Sequence, residues 1–302
     1  MKNALVSGGS GFIGRKLISK LTEEGVRVTA IIHDEDLRRR FEGLNATVVF
    51  CPLNVDPPEV LESGGYDVFY HLAWDGVSSS SKNDYEKQLK NVEMSLNACR
   101  LADRLQCGKM IFPGSVSQFS YSDEPVDGTQ VPSPADAYGV AKVAAQLACN
   151  LFCRQHGIDF VWLLIPSIYG PGRHDNNVIT YTIESLLKGV RPSYTKLEQK
   201  WDYLYIDDLI EAIFLAGDCA IDGLVYAIGS GDQRPLAAFV RIVRDLINPD
   251  AELGIGDIPY KNGRVDNSIV DVSRFCDDTG FKARTSFDEG ILKTVEYYRG
   301  LI

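Results

Sequence analysis

The run SGGSGFIG at residues 7–14 constrains the fold of this 302-residue chain more than any other stretch. It follows a short apolar segment that is typical of a β-strand, and it leads into a predicted helix from Gly14 to Glu24. Glycines three apart allow a tight turn, close approach to a ligand, and close packing of helix on strand. A glycine triple alone is a weak signal, but this strand-to-helix context predicts a site for the pyrophosphate of a dinucleotide. The residues expected to contact it are Gly8, Gly11, Phe12, Ile13 and Gly14.

Strands and helices alternate through the first half of the chain. The strand-like segments are apolar along their whole length, as in parallel sheets that helices cover on both faces. The predicted fold class is α/β, with a Rossmann-type doubly wound parallel sheet and a smaller, partly interleaved C-terminal α/β substrate region. We expect an NAD(P)-binding domain at 1–165 and a substrate-binding region at 166–302, of which about 201–230 returns to the main domain.

Composition excludes several classes of function. Hydrophobic residues make up 45% of the chain and charged residues 24%, which is typical of a globular protein with a sizeable core. A formal net charge of −10 argues against a nucleic-acid partner and against binding to an anionic membrane. The N-terminal residues lack the apolar region of a signal peptide, and no apolar run is long enough to span a membrane. Seven cysteines without CxxC spacing predict a reduced, cytoplasmic chain, and the four histidines show no metal-binding spacing.

The segment AYGVAK at 137–142 places a lysine four residues after a tyrosine. Of the fourteen tyrosines, only Tyr138 has this partner, and the spacing puts Lys142 on the same helix face. An ammonium beside a phenol favours the phenolate, so we expect Lys142 to lower the pKa of Tyr138. Two exposed residues on an ordinary helix would give the same spacing.

The end of the second predicted strand bears on the choice of cofactor. An acidic residue at this point bonds the adenosine ribose of NAD, whereas a basic residue accommodates the 2′-phosphate of NADP. Here His33 occupies the end of the strand. Arg38 begins a run of arginines that either binds the phosphate or forms a solvent-exposed face of a helix. The sequence favours NADP slightly within an NAD(P) assignment.

Taken together, the motifs resemble the extended short-chain dehydrogenase/reductases, which include nucleotide-sugar epimerases, dehydratases and 4-ketoreductases. The resemblance rests on the glycine run, HLAW at 71–74, Ser115 in FPGSVS and the Tyr138–Lys142 pair. It continues in order through PSIYGPG, NNVI, WDYLYIDDLIEA, YAIGSG and FDEGILKTVEYY, so it covers essentially the whole chain.

The resemblance implies a role for each residue that matches a family motif. Tyr138 would exchange a proton with the substrate, Lys142 would lower its pKa and bond the nicotinamide ribose, and Ser115 would orient the same substrate oxygen. Further cofactor contacts would come from Tyr138 itself and from Leu72, Ala73, Asn91 and Pro166. Substrate contacts would come from Val116, Asn177, Trp201 and Lys261.

Asn177 has an alternative structural role, and Trp201 departs from the family pattern. Asn177 could equally be a helix N-cap, and both roles can hold together. Trp201 stands where the family often has an arginine, so one phosphate contact is missing or replaced by stacking. His71 ends a buried strand and is expected to be a packing residue.

The leading functional hypothesis is a 4-ketoreductase acting on a nucleotide-diphosphate sugar, with 4-epimerisation as the alternative. Water elimination is disfavoured, because dehydratases follow the Ser115 position with an acidic pair, whereas this chain has Val116, Ser117 and Gln118. Reduction of a small carbonyl compound and non-catalytic sensing of NAD(P) remain as other classes. A homodimer is expected through helices near 84–106 and 135–156, although apolar stripes on the first helix also suit a fully buried helix.

Overall fold

The computed structural model describes residues 1–55, 61, 65–78, 81–120, 124–175, 177–260 and 267–301. Its main sheet consists of β1 (Asn3–Ser7), β2 (Arg27–Ile32), β3 (Thr47–Phe50), β4 (Val68–His71), β5 (Lys109–Ser115), β6 (Asp159–Ile165) and β10 (Leu224–Ala227). Within the described residues, these strands lie parallel in the order β10-β6-β5-β4-β1-β2-β3. The predicted doubly wound parallel sheet is therefore confirmed.

Helices cover both faces of this sheet. The α-helices are α1 (Phe12–Glu23), α2 (Tyr85–Arg104), α3 (Ala137–His156), α4 (Val178–Leu187), α5 (Ile206–Cys219), α6 (Leu236–Ile247), α7 (Ser273–Thr279) and α8 (Phe287–Arg299). On one face α1 packs against α5, and on the other α2 packs against α3. Each face therefore has its own apolar core, one around Leu17 and Ile213 and the other around Leu101 and Cys149.

The C-terminal part adds two small sheets beside the main one. Their strands are β7 (Ser167–Tyr169), β8 (Ser193–Tyr194), β9 (Lys200–Tyr205), β11 (Gln233–Pro235) and β12 (Gly254–Ile255). In the described residues, β9 lies between β11 and β7, and β12 pairs with β8. Because β10 pairs with β6 at the edge of the main sheet, the chain returns to that sheet near residue 224. The predicted domain boundaries themselves stay a prediction.

The long helix α2 does not bury the apolar stripe that its sequence predicts, Tyr85, Leu89, Val92, Leu96 and Cys99, along its whole length. Cys99 is fully buried, but Tyr85 is 69% exposed and Leu89 is 66% exposed. This stripe therefore leaves the protein core along the N-terminal turns of the helix. The helix instead buries polar residues there, and Gln88 and Asn91 form hydrogen bonds with a loop of the candidate site.

Three general properties complete the description. None of the helices in the described residues has both the length and the apolar character needed to cross a membrane. The same residues hold no cluster of histidine, cysteine and carboxylate side chains placed to bind a metal. All seven cysteines are described, and each is a free thiol.

Candidate active site

A cleft of about 730 Å³ opens at the carboxyl ends of the parallel strands. Its lining includes the glycine turn after β1, the end of β2 and the segment after β4, and ligands of doubly wound sheets bind at this kind of strand edge. Of the residues predicted to contact a cofactor, the cleft is lined by Gly8, Gly11, His33, Leu72, Ala73 and Asn91.

The glycine turn fits a dinucleotide for steric reasons. Gly8 has φ +70°, and a Cβ atom there would lie 2.7 Å from the Ala73 nitrogen. A Cβ at Gly14 would overlap the Gly8 carbonyl oxygen, so this glycine brings α1 against the turn. The backbone is thus packed so closely that only glycine can serve at these two positions.

The N-terminus of α1 is free to bind an anion. Gly11 is its N-cap, and this residue has no side chain to cap the backbone N–H groups that follow at Phe12 and Ile13. Uncapped N–H groups and the positive end of the helix dipole together favour a phosphate. The cleft therefore has the donors and the shape that the pyrophosphate of a dinucleotide requires.

The far end of the cleft holds His33 and part of a 3₁₀ helix, Glu35–Phe41. The Arg38 guanidinium donates to both carboxylate oxygens of Glu35, at 2.7 and 2.9 Å, and to the Val48 carbonyl oxygen at 2.7 Å. This arginine is therefore already occupied within the protein, a feature that its place in an arginine run does not reveal.

Ser115 ends β5 and begins a short 3₁₀ helix, Val116–Phe119. Its hydroxyl oxygen accepts a hydrogen bond from the Ser117 N–H at 3.1 Å. The Gln118 side chain turns back to accept from the Ser115 N–H at 3.2 Å and from Trp162 Nε1 at 2.9 Å. This capping box fixes the direction of the Ser115 side chain.

Helix α3 carries Tyr138 and Lys142 up to Ser115. A glycine makes the approach possible, since a Cβ at Gly139 would lie 2.5 Å from the Ser117 carbonyl oxygen. The Tyr138 phenol lies near Ser115, whose side chain acts to lower the pKa of the phenol. The structure therefore brings together the three residues that were predicted to be catalytic.

Burial dominates the electrostatics of this trio. It raises the pKa of Tyr138 to about 12, although the Ser115 side chain acts in the opposite direction. Burial also lowers the pKa of Lys142 well below its usual value, and this ammonium donates to the Pro113 carbonyl oxygen at 2.7 Å. The sequence predicted that Lys142 would lower the Tyr138 pKa. The effect of Lys142 itself stays a prediction, because the charge that lowers the pKa of Tyr138 here is that of Arg173, and desolvation of the phenol outweighs it.

His71 lies beneath this trio as a buried, neutral ring. Its Nδ1 atom is 2.8 Å from the Ser7 hydroxyl oxygen, and its Nε2 atom is 3.3 Å from that of Ser95. Burial, with a further contribution from the Lys142 charge, lowers the pKa of His71 to about 3. The ring thus links the strand before the glycine turn to α2 without carrying a charge.

Asn91 uses its amide on the protein itself. Its Nδ2 donates to the Asp75 carbonyl oxygen at 2.8 Å, and its Oδ1 accepts from the Asp75 N–H at 2.9 Å. It therefore fixes the loop after β4, and a direct cofactor contact stays a prediction. Pro166 is buried between β6 and β7.

The predicted substrate residues are spread over several elements. Val116 is half-buried beside Ser115, and Trp201 Nε1 donates to the Ser167 hydroxyl oxygen at 2.7 Å. Asn177 is the N-cap of α4, where its Oδ1 accepts from the N–H groups of the second and third helical residues. Lys261 lies outside the described residues.

Sequence reasoning missed two cations near the Tyr138 ring. Lys82 Nζ lies 5.1 Å from the ring centre, 3.4 Å from Ser117 Oγ and 3.9 Å from the Asp136 carboxylate. Arg173 pairs with Asp175 and lowers the pKa of Tyr138 through its charge. For Arg173 the only signal was its place after the PSIYGPG motif, and Lys82 had none.

A smaller cavity of about 370 Å³ lies alongside α4. Its lining mixes charged and hydroxyl side chains, namely His174, Asp175, Thr180, Tyr181, Glu184, Ser185 and Lys188, with Val190. None of the catalytic trio lines it, so it is separate from the reaction centre.

Comparisons with known proteins agree with this geometry. The model of the NAD dependent epimerase/dehydratase family matches residues 4–229. The chain is 24% identical to dTDP-4-dehydro-6-deoxyglucose reductase of Escherichia coli, covering 98% of this chain and 97% of that protein. It is also 24% identical to UDP-glucose 4-epimerase of Mycolicibacterium smegmatis, covering 98% of each.

Among solved structures, a mutant of UDP-glucuronic acid 4-epimerase from Bacillus cereus superposes with a TM-score of 0.88. It is 21% identical and the match covers 99% of this chain and 100% of that one. That protein was solved in complex with UDP-4-deoxy-4-fluoro-glucuronic acid and NAD. At this level of identity, the likeness shows the fold alone.

Proposed function

The chain belongs to the NAD-dependent epimerase/dehydratase family, and from that premise we propose that it transfers a hydride at C4 of a nucleotide-linked sugar. The observation that carries this proposal is the convergence of Ser115, Tyr138 and Lys142 at the end of a cleft that fits a dinucleotide. We place reduction of a 4-keto sugar first.

The chain's own side chains supply binding and proton transfer, while bound nicotinamide supplies the hydride. With a pKa of about 12, the Tyr138 phenol holds its proton at neutral pH and can donate it to the C4 oxygen of a ketone. Ser115 donates to the same oxygen and orients it. The Lys142 ammonium, whose Nζ lies 5.7 Å from the ring centre, stabilises the phenolate that proton transfer leaves behind.

The surroundings of Ser115 support redox chemistry over water elimination. Val116 and Ser117 follow it, and Gln118 is fully buried, with its amide bonded to Trp162 and Gln146. Among the residues described near the trio, the carboxylate of Asp136 is used as the N-cap of α3. Elimination needs a further acid/base pair, which this arrangement does not offer.

A 4-epimerase is the second candidate, and the state of Arg38 favours it. An epimerase keeps one cofactor bound and starts by taking a proton from a C4 hydroxyl. The guanidinium of Arg38 donates to Glu35 and Val48, so a 2′-phosphate would have to displace the Glu35 carboxylate, which weighs against NADPH as a consumed reductant. The slight preference for NADP stays a prediction, and this contact argues for NAD.

Substrate assays with and without cofactor separate the two candidates. Purified protein is incubated with 4-keto and with 4-hydroxy sugar nucleotides, in the absence and presence of NADH or NADPH. A ketoreductase consumes reduced cofactor in proportion to the ketone. Turnover of the 4-hydroxy sugar without added cofactor would eliminate the reductase and establish the epimerase.

The proposal that a nucleoside diphosphate carries the sugar depends on residues in the second half of the chain. We infer that Trp201 and Val116 contact the substrate, with Asn177 and Lys261 close to the diphosphate. In the described residues the amide of Asn177 already caps α4. Asn177 would therefore contribute to diphosphate binding by fixing the first turn of α4. Stabilisation against heat by UDP or dTDP, but not by the free sugar, is the expected result.

We infer that the enzyme is a homodimer through α2 and α3. These helices pack against each other and leave Tyr85, Leu89, Val140, Leu147 and Leu151 exposed. Apolar side chains on two adjacent helices suit a second copy of the same surface, as in a two-fold dimer. Sedimentation should show a dimer that Leu147→Lys converts to monomer, whereas Leu301→Lys, at an exposed leucine near the C-terminus, leaves it intact.

The decisive test of catalysis is Tyr138→Phe. Removing the phenolic proton should lower kcat by about 10²–10⁴-fold, while the Kd for NAD changes little. Tyr85→Phe serves as the control, because that hydroxyl is on an exposed side chain of α2. Unchanged turnover in Tyr138→Phe with a proven substrate would refute the assigned role.

A further inference from the structure

One side chain, Trp74, stands between the cleft and the catalytic trio. It lines the cleft on one side, whereas Ser115, Tyr138 and Lys142 do not. Its indole ring centre lies 3.5 Å from Lys142 Nζ, and the ring stands edge-on to Tyr138 at 5.9 Å. The indole therefore covers the ammonium on the side that faces the cleft.

The orientation of this indole is fixed by α2. Trp74 Nε1 donates to Gln88 Oε1 at 3.0 Å, and Gln88 Nε2 donates to the Gly76 carbonyl oxygen at 2.8 Å. Asn91 bonds both backbone groups of Asp75, as described above. Two buried amides thus hold the loop on either side of the tryptophan, and the ring is placed by specific contacts.

The contact has an energetic reason as well as a geometric one. Lys142 is only 3% exposed, and among the described residues its ammonium has one hydrogen-bond acceptor, the Pro113 carbonyl oxygen. A desolvated cation gains most from the face of an indole, which is the strongest of the aromatic partners. The indole thus stabilises the Lys142 ammonium, which water does not reach, as long as no other group replaces the indole.

We propose that Trp74 is a gate at the nicotinamide end of the cofactor cleft. The adenosine diphosphate half can enter the cleft with the indole in place, but the nicotinamide half reaches Lys142 only after the indole has left the ammonium. This rests on the proposed dinucleotide site and adds a step to it. The cost of opening the gate lowers the affinity for the whole dinucleotide and leaves that for its ADP half unchanged.

Binding measurements on nucleotide-free protein test the gate without any need for turnover. Kd values for ADP and for NAD are measured by calorimetry for the wild type, Trp74→Phe and Trp74→Ala. Loss of the cation–π contact should tighten NAD binding by about 2- to 30-fold in Trp74→Ala, with Trp74→Phe between the two. ADP binding should stay within about twofold in all three proteins, and it also reports that each variant is folded.

Tryptophan fluorescence is a second test of the gate, and it can be measured on the wild type without any substitution. NAD should change the emission because it displaces the Trp74 indole, whereas ADP should not. Trp74→Phe retains Trp162 and Trp201, so the loss of the NAD-dependent change in that variant assigns the signal to Trp74.

Three results would overturn the gate. Weaker NAD binding in Trp74→Ala, with ADP unchanged, would mean that the indole stacks on the cofactor. Equal NAD affinities in all three proteins would mean that it does nothing at this end of the cleft. Failure of both ADP and NAD to bind wild-type protein would remove the dinucleotide function itself, and the gate with it.

Discussion

The buried floor of the site and its rim hold similar side chains in different surroundings. The floor consists of Ser7, His71 and Lys142, and the rim consists of Lys82, Ser117 and Asp136. Lys142 is 3% exposed, and its hydrogen bond goes to a backbone carbonyl. The Lys82 side chain is 33% exposed and lies 3.9 Å from the Asp136 carboxylate.

The difference teaches what each charge does. On the floor, a buried cation without a carboxylate partner raises the free energy of the folded protein. The stability of the charge therefore depends on the group that contacts it. On the rim, water and Asp136 screen the charge, and such pairs contribute little. A change on the floor should therefore alter chemistry and stability together, whereas the same change on the rim should alter binding alone.

The largest effect is expected from Lys142→Met, which keeps the length of the side chain and removes its charge. Turnover should fall by about 100-fold or more, since the phenolate of Tyr138 loses its stabilising neighbour. The free energy of unfolding should rise, because burial disfavours the charged form of Lys142 in the folded protein and the methionine carries no charge. Urea unfolding of cofactor-free protein measures the second quantity.

The pH dependence of this gain checks its cause. Folding lowers the pKa of Lys142, so the unfolded chain binds more protons above the folded pKa, and wild-type stability rises with pH up to about 10.5. The advantage of Lys142→Met should therefore shrink as the pH rises toward that value. A variant that is less stable than the wild type at every pH would show that the ammonium is not strained.

The second prediction sets His71 on the floor against the exposed His156. The pKa of His71 is about 3 in the folded protein and 6.5 in the ordinary case, so only the unfolded chain gains a proton between these values. Stability should fall by about 1.4 kcal/mol per pH unit in this window, or about 2–3 kcal/mol from pH 7 to 4.5. In His71→Asn this part of the loss should vanish, and in His156→Asn it should persist. Equal acid sensitivity of both variants would contradict a neutral buried ring.

The third prediction concerns the approach of α3 to the floor. In Gly139→Ala the new methyl group would meet the Ser117 carbonyl oxygen and Pro134, whereas in Gly65→Ala it meets no atom of the described residues within 4 Å. Overpacking should cost about 1–3 kcal/mol of unfolding free energy and separate Tyr138 from Ser115, so kcat should fall. Gly65→Ala should match the wild type in both. If Gly139→Ala does so too, the close approach is not needed.

Much of the first half of the fold, together with the Tyr138–Lys142 pair, could be predicted from the sequence because it depends on local rules. The glycine turn follows from what the backbone permits, and the Tyr138–Lys142 spacing follows from helix periodicity. The parallel strands of the first half are apolar on both faces, so they were recognisable in order. The short strands of the second half, such as Gln233–Pro235, carry no such pattern.

What could not be predicted depends on where side chains point. No local spacing shows that Arg38 also bonds the Val48 carbonyl oxygen, or that the amide of Asn91 faces Asp75. The raised pKa of Tyr138 is a further case, because burial, its largest cause, is a property of the assembled fold and not of a local spacing.

The smallest effect is expected on the rim, from Lys82→Met. Its free energy of unfolding should stay within about 0.5 kcal/mol of the wild type, since a screened surface pair contributes little. At low salt KM should rise a few-fold, because a positive charge beside Ser117 attracts an anionic sugar nucleotide, and the difference should fade as salt screens it. A fall in kcat close to that of Lys142→Met would erase the distinction between rim and floor. It would mean that Lys82 also supports the proton transfer at Tyr138, whose ring lies 5.1 Å from its ammonium.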